Sequence, residues 1–154
     1  MEAHYTWRTT LFSRKFEIFR QDFPAGMLGK GGWLSGVEGE LNGRRIMFRT
    51  KGLFRFETKI IDMHNEQEIA YIRFRNLRLE STVMYNGREY SCHFENLLKT
   101  RWSLGTRSGA LVRYHSQPFK GVITSYTNDE VLILSGFFIR NFLKQRSATI
   151  ASSS

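Results

Sequence analysis

Cys92 and His93 are adjacent, and a thiol beside an imidazole is the pair that a cysteine nucleophile and its general base would use. The segment around them, REYSCHFE, alternates as a strand does, and neighbours along a strand point to opposite faces. Cys92 therefore falls with Tyr90 and Phe94 on the apolar face, where burial leaves a thiol protonated and inert. His93 takes the other face. Asp62, His64 and Glu66 imitate an alternating row of metal ligands, but they lie in a polar turn, with Asp62 immediately before and His64 and Glu66 within the stretch MHNEQ. His4 and His115 have no partner at ligand spacing. The glycine-rich run PAGMLGKGGWLSG, residues 24–36, resembles a phosphate loop only until Lys30, which Gly31 follows where Ser or Thr is required. It reads as a connection between strands. No G-x-S-x-G elbow occurs. These readings predict no catalytic residue, no metal and no cofactor.

The basic residues offer more. The chain carries a net charge of +9, with 16 Arg against 7 Lys. The planar guanidinium fork matches phosphate, so an excess of Arg points toward polyanions. Arg44, Arg45, Arg49 and Lys51 lie along one predicted strand, Arg55 and Lys59 along the next, and Arg73 and Arg75 along the one after. If strands adjacent in sequence are adjacent in the sheet, these residues form one outward basic field suited to an anionic leaflet or a phosphoinositide. Glu38, Glu40, Glu57, Glu66 and Glu68 lie among them, and a plain solvated face is the competing reading. Tyr71 and Tyr85 could stack nucleic-acid bases, yet no RNP-type motif accompanies them.

The elements that would position this field are short strands. YTWRTT and KFEIFR read as a first pair. GVEGEL and RRIMFRT flank Asn42-Gly43, and LRLESTVMY and REYSCHFE flank Asn86-Gly87. Asn-Gly supplies the positive φ angles of a type I′ hairpin turn. In LFRFETKIID, Phe54, Phe56, Thr58 and Ile60 oppose Arg55, Glu57 and Lys59. In EIAYIRFR, Ala70, Ile72 and Phe74 oppose Arg73 and Arg75. KTRWSLG, GALVRYH and KGVITSY continue the pattern.

One helix follows, expected over 129–145. Thr127 and Glu130 fit a capping box, and Arg140, Lys144 and Arg146 suit the negative end of the helix dipole. From Val131 to Ile139 it is apolar on every side, broken only by Ser135 and Gly136. A helix apolar all round is buried all round, and this one is too short for the ~20 apolar residues a bilayer span needs. Only the strands can enclose it. A many-stranded antiparallel sheet removes its edges by closing, and a barrel of that width needs more than strand side chains to fill it. The expected fold is mainly β: a closed antiparallel barrel of about eleven or twelve strands around a buried C-terminal helix.

The 154 residues suit one domain, taken as 1–146, with 147–154 as a disordered tail. A single cysteine excludes a disulfide framework and favours a reducing cytoplasm. The N-terminal residues lack a signal-peptide run, and neither end carries a lipidation pattern.

In this order of strands and apolar helix the chain resembles the tubby C-terminal-like superfamily, which includes LURP-one-related proteins and phospholipid scramblases. SYTNDEVLILSGFFI is similar to that family's central helix. GRRIMFRTKGLFRFETKIIDMHNEQEIAYI is similar to its pattern of strand pair, polar turn and returning strand. The resemblance implies a barrel scaffold and a phosphoinositide-binding or membrane-associated role. The expected function is thus a non-enzymatic, cytoplasmic or peripheral-membrane domain that binds anionic phospholipid headgroups. A protein-interaction scaffold is the alternative; a nucleic-acid binder or a carrier of apolar ligands comes behind it.

Overall fold

The computed structural model describes residues 2–10, 14–32, 36–52, 57–75 and 80–153, with the side chains of 30–32 and 147–153 left aside. Twelve strands run in sequence: β1 (Ala3–Arg8), β2 (Phe16–Arg20), β3 (Phe23–Gly32), β4 (Gly36–Leu41), β5 (Arg44–Lys51) and β6 (Glu57–Asp62), then β7 (Gln67–Phe74), β8 (Glu80–Tyr85), β9 (Arg88–Phe94), β10 (Arg101–Thr106), β11 (Gly109–Gln117) and β12 (Lys120–Ser125). Each pairs antiparallel with its sequence neighbours, and β1 pairs with β12, so the sheet closes into a barrel without free edges. The helix α1 (Glu130–Ser153) follows.

The hairpins form where the turn chemistry requires them. Asn42 and Gly43 have φ of 51° and 85°, and Asn86 and Gly87 have 52° and 72°, as a type I′ turn demands. Alternation then decides what is buried. Thr58, Ile60, Ala70, Ile72, Phe74, Tyr90, Cys92 and Phe94 all point inward. Phe54 and Phe56, expected on the inner side, lie outside the described residues. Polar inward groups are paired: the Thr50 and Thr58 hydroxyls lie 2.7 Å apart.

The helix passes through the barrel with every side packed. From Val131 to Asn141 every residue is buried. Phe138 stacks on Phe48 with ring centroids 4.2 Å apart, Phe142 meets Phe74 at 5.1 Å, and Phe137 meets Trp7 at 5.4 Å and Phe16 at 5.3 Å. These partners come from strands on different sides of the barrel, which is why the helix has no polar face. Two wall residues also bond to its backbone. The Trp102 indole N–H donates to the Gly136 carbonyl at 2.9 Å, and the Tyr114 hydroxyl donates to the Ile133 carbonyl at 2.7 Å.

Three expectations change. Residues 24–36 are not simply a connection, because β3 occupies most of them. Its glycines accommodate close approach: a Cβ on Gly26 would lie 2.0 Å from the Glu40 carbonyl oxygen, and a bulge falls between Leu28 and Lys30. The helix cap is Asp129, whose carboxylate accepts from the Val131 N–H at 3.0 Å, while the Thr127 hydroxyl accepts from the Asp129 N–H at 3.2 Å. The cap thus lies two residues beyond the expected Thr127. Finally, 147–153, expected as a disordered tail, continue the helix. Extending a helix that the barrel has already nucleated costs little, and Ala148 and Ala151 favour it.

Candidate functional site: a basic wall

Register places the expected basic residues individually. Across the outer surface Arg49 pairs with Lys59, and Lys59 with Tyr71. One step along, Lys51 pairs with Glu57, and Glu57 with Arg73. Paired residues on antiparallel strands share a face, so Arg49, Lys51, Lys59 and Arg73 stand together on the wall formed by β5, β6 and β7. All are exposed, as is Arg75 just beyond β7. The Arg73 guanidinium lies 5.3 Å from the centroid of the Tyr71 ring, a stacking that holds the charge upright at the surface. Tyr71 is thereby part of the basic wall and offers no bare stacking platform.

Countercharges divide the set. Lys59 approaches Glu68 at 3.9 Å with both side chains nearly half exposed, a contact of little strength in water. Arg45 is engaged by Glu38, which accepts from its Nε at 3.1 Å and also from Nη2; this hydrogen bond holds the Arg45 pKa above its ordinary value. Glu57 stands between Lys51 and Arg73 in the register, but among the described residues no carboxylate comes within ion-pair distance of Arg49, Lys51, Arg73 or Arg75. Strands are spaced ~4.8 Å apart, well inside the ~8 Å over which physiological salt screens charge. A planar anionic surface therefore meets these cations together.

Arg44 does not join them. Its cross-strand partner is Leu41, which is fully buried, so Arg44 shares the inward side at the rim where the helix enters. There its Nη2 donates to Asp62 at 3.2 Å. Two successive residues on a strand cannot both face outward, and Arg45 holds the outward position. Arg55 lies outside the described residues.

The expected chemistry elsewhere is quiet. Cys92 is fully buried, and burial pushes its thiol pKa up to about 12. His93 is exposed on the other face. Asp62 accepts from the backbone N–H of His64 at 2.8 Å, an ordinary turn contact. Among the described residues no His, Cys, Asp and Glu group has the geometry of a metal site, and no helix is long and apolar enough to cross a membrane.

A second cationic feature lay hidden in the helix. Arg140, expected near a helix end, sits mid-helix and is 6 % exposed. Its Nε donates to the Lys99 carbonyl at 3.1 Å, Nη1 to Asn141 at 2.8 Å and Nη2 to Ser116 at 2.7 Å, and it lies over the Trp102 ring. The acceptors are all neutral. Burial lowers its pKa to about 10. The sequence signal was a lone cation interrupting an otherwise apolar run from Val131 to Leu143, shared with Asn141 beside it.

These features define a class by architecture: a closed antiparallel barrel built around its own C-terminal helix, with a basic wall. In comparisons with known proteins, no family model matches the chain, and neither does any curated protein or solved structure.

Proposed function

We propose that the chain is a non-enzymatic binding domain that recognises anionic phospholipid headgroups on a membrane surface, in the manner the tubby C-terminal-like resemblance implies. One observation carries the reading: Arg49, Lys51, Arg73 and Arg75 share a wall on which, among the described residues, none of them is held in an ion pair, although Glu57 stands among them. A cation near an anionic leaflet contributes about 1 kcal/mol. Four together amount to about 4 kcal/mol, or roughly a thousandfold in affinity. The wall is a rigid, edge-free sheet, so the cations are held in place before they meet the surface.

Replacing Arg49, Lys51, Arg73 and Arg75 with Gln tests this. Sedimentation with phosphatidylserine-containing vesicles should fall by about two to three orders of magnitude while the thermal unfolding midpoint stays close to the parent's, because exposed substitutions cost within about 0.5 kcal/mol. Unchanged vesicle affinity in the folded variant would favour a protein-interaction scaffold. The observation that favours that second reading is the exposure of Leu97, at 83 %, and Leu98, at 77 %.

A further inference from the structure

At the end of the barrel where the helix leaves, a crevice of about 400 Å³ opens between the helix, the start of the β1–β2 connection and the β11–β12 turn. Arg140, Lys144, Asn141, Trp7, Thr10 and Phe119 are among its lining residues. Arg140 is buried, and among the described residues no carboxylate answers its charge. A guanidinium has five N–H donors, and the three neutral acceptors named above leave two of them over. The Lys144 ammonium reaches the same crevice; its pKa is lowered by desolvation and then by the charges of Arg140 and Lys99. Arg140 and Lys144 thus meet in the crevice with Lys99 near by, and among the described lining residues none is acidic. Taking a charge out of water is costly unless an opposite charge meets it.

Trp7 is 2 % exposed and its indole N–H has no acceptor. Buried donors are nearly always satisfied, and an orphan calls for an explanation such as a bound group. Trp7 lines this crevice and also the neighbouring one beside Gly121 and His115. The volume falls within the usual range for small-ligand sites, roughly 300–1,000 Å³.

We propose that this crevice binds a phosphate ester, with Arg140 and Lys144 as the cations that meet the phosphate and the Trp7 ring in the wall beside them. The guanidinium supplies planar, directional donors and the ammonium a mobile point charge. The threonines and Asn141 at the wall of the crevice suit the hydroxyls of a polyol ester. Phe119, 49 % exposed, lies at its rim, and Leu97 and Leu98 are exposed on the loop that carries Lys99. An exposed aromatic ring at the edge of a cationic crevice fits a phosphate that belongs to a lipid. That lipid source rests on the preceding reading; the phosphate site does not.

The test is a titration of the full-length chain with glycerol 3-phosphate, followed by the Trp7 indole N–H resonance in ¹H–¹⁵N spectra, that resonance being assigned with a Trp7→Phe variant. A second arm uses phosphatidylcholine vesicles with and without phosphatidic acid. Glycerol 3-phosphate should move the Trp7 resonance in a saturable way. Lys144→Gln, at a solvent-exposed position, and Arg140→Lys should each weaken binding about tenfold, and the Gln variant of the basic wall should bind like the parent. Binding of both probes assigns the crevice to a lipid headgroup. Binding of glycerol 3-phosphate alone keeps the site and assigns it to a soluble phosphate ester. No shift of the Trp7 resonance, or shifts that Lys144→Gln and Arg140→Lys leave unaltered, would overturn the proposal. Vesicle binding that depends on the wall alone would overturn the lipid source, leaving the crevice, if it binds glycerol 3-phosphate, to a soluble phosphate ester.

Discussion

Leu134→Asp is expected to leave the chain unfolded. Leu134 is fully buried on the central helix, and its Cδ1 lies 3.6 Å from the position a Cβ on Gly39 would take. The helix crosses the closed barrel, so a carboxylate there has no route to water. Removing the side chain's packing costs ~2–5 kcal/mol, and an unpaired buried charge adds several more. Together they are comparable with the ~5–15 kcal/mol that holds a domain folded. Circular dichroism and a thermal scan provide the check: no cooperative transition is expected. A Leu134→Asp variant that unfolds cooperatively near the parent midpoint would show that the helix is not enclosed.

Gly136→Ala is expected to destabilise the protein by ~1–5 kcal/mol, against the direction helix propensity gives. In an isolated helix the change favours folding by ~1 kcal/mol. Here the new Cβ would lie 2.3 Å from the Tyr114 hydroxyl oxygen and 2.6 Å from its Cζ. Tyr114 is 3 % exposed and stacked on Trp102 with centroids 5.0 Å apart, so it cannot swing away. Overpacking of this kind costs ~1–3 kcal/mol, and loss of the hydroxyl's bond to the Ile133 carbonyl leaves a buried group unsatisfied at ~1–3 kcal/mol. The urea midpoint decides the sign. A stabilised Gly136→Ala variant would mean that the helix and β11 do not pack this closely.

Much of this architecture was legible in the residues. Val131 to Ile139, apolar on every side, required an enclosure, and the Asn42-Gly43 and Asn86-Gly87 turns required hairpins. Inward sets such as Tyr90, Cys92 and Phe94 followed from a period of two. The misreadings have physical causes. β3 was disguised because Gly26 is needed for the close approach of β4, and glycine otherwise signals a loop. The Asp129 cap was missed because Thr127 and Glu130 satisfied the spacing of a capping box equally well.

The basic set was legible as residue types and only partly as a surface. Arg49, Lys59 and Arg73 could be aligned from alternation alone, and they stand together. Arg44 and Arg45 needed the register to separate a rim residue bound to Asp62 from an outward one bound to Glu38. Arg140 was the least legible, because its surroundings come from 99, 102 and 116, distant in sequence and brought together only by closure of the barrel.

Vesicle co-sedimentation of the unmodified chain, with phosphatidylcholine alone and with phosphatidylserine added, across a range of salt concentrations, tests the central claim most directly. The wall of Arg49, Lys51, Arg73 and Arg75 predicts binding to the anionic vesicles that falls steeply as salt shortens the screening length from about 10 Å at 0.1 M toward 3 Å at 1 M, with negligible binding to phosphatidylcholine. Equal binding to both vesicles, or no binding to the anionic ones at low salt, would contradict it.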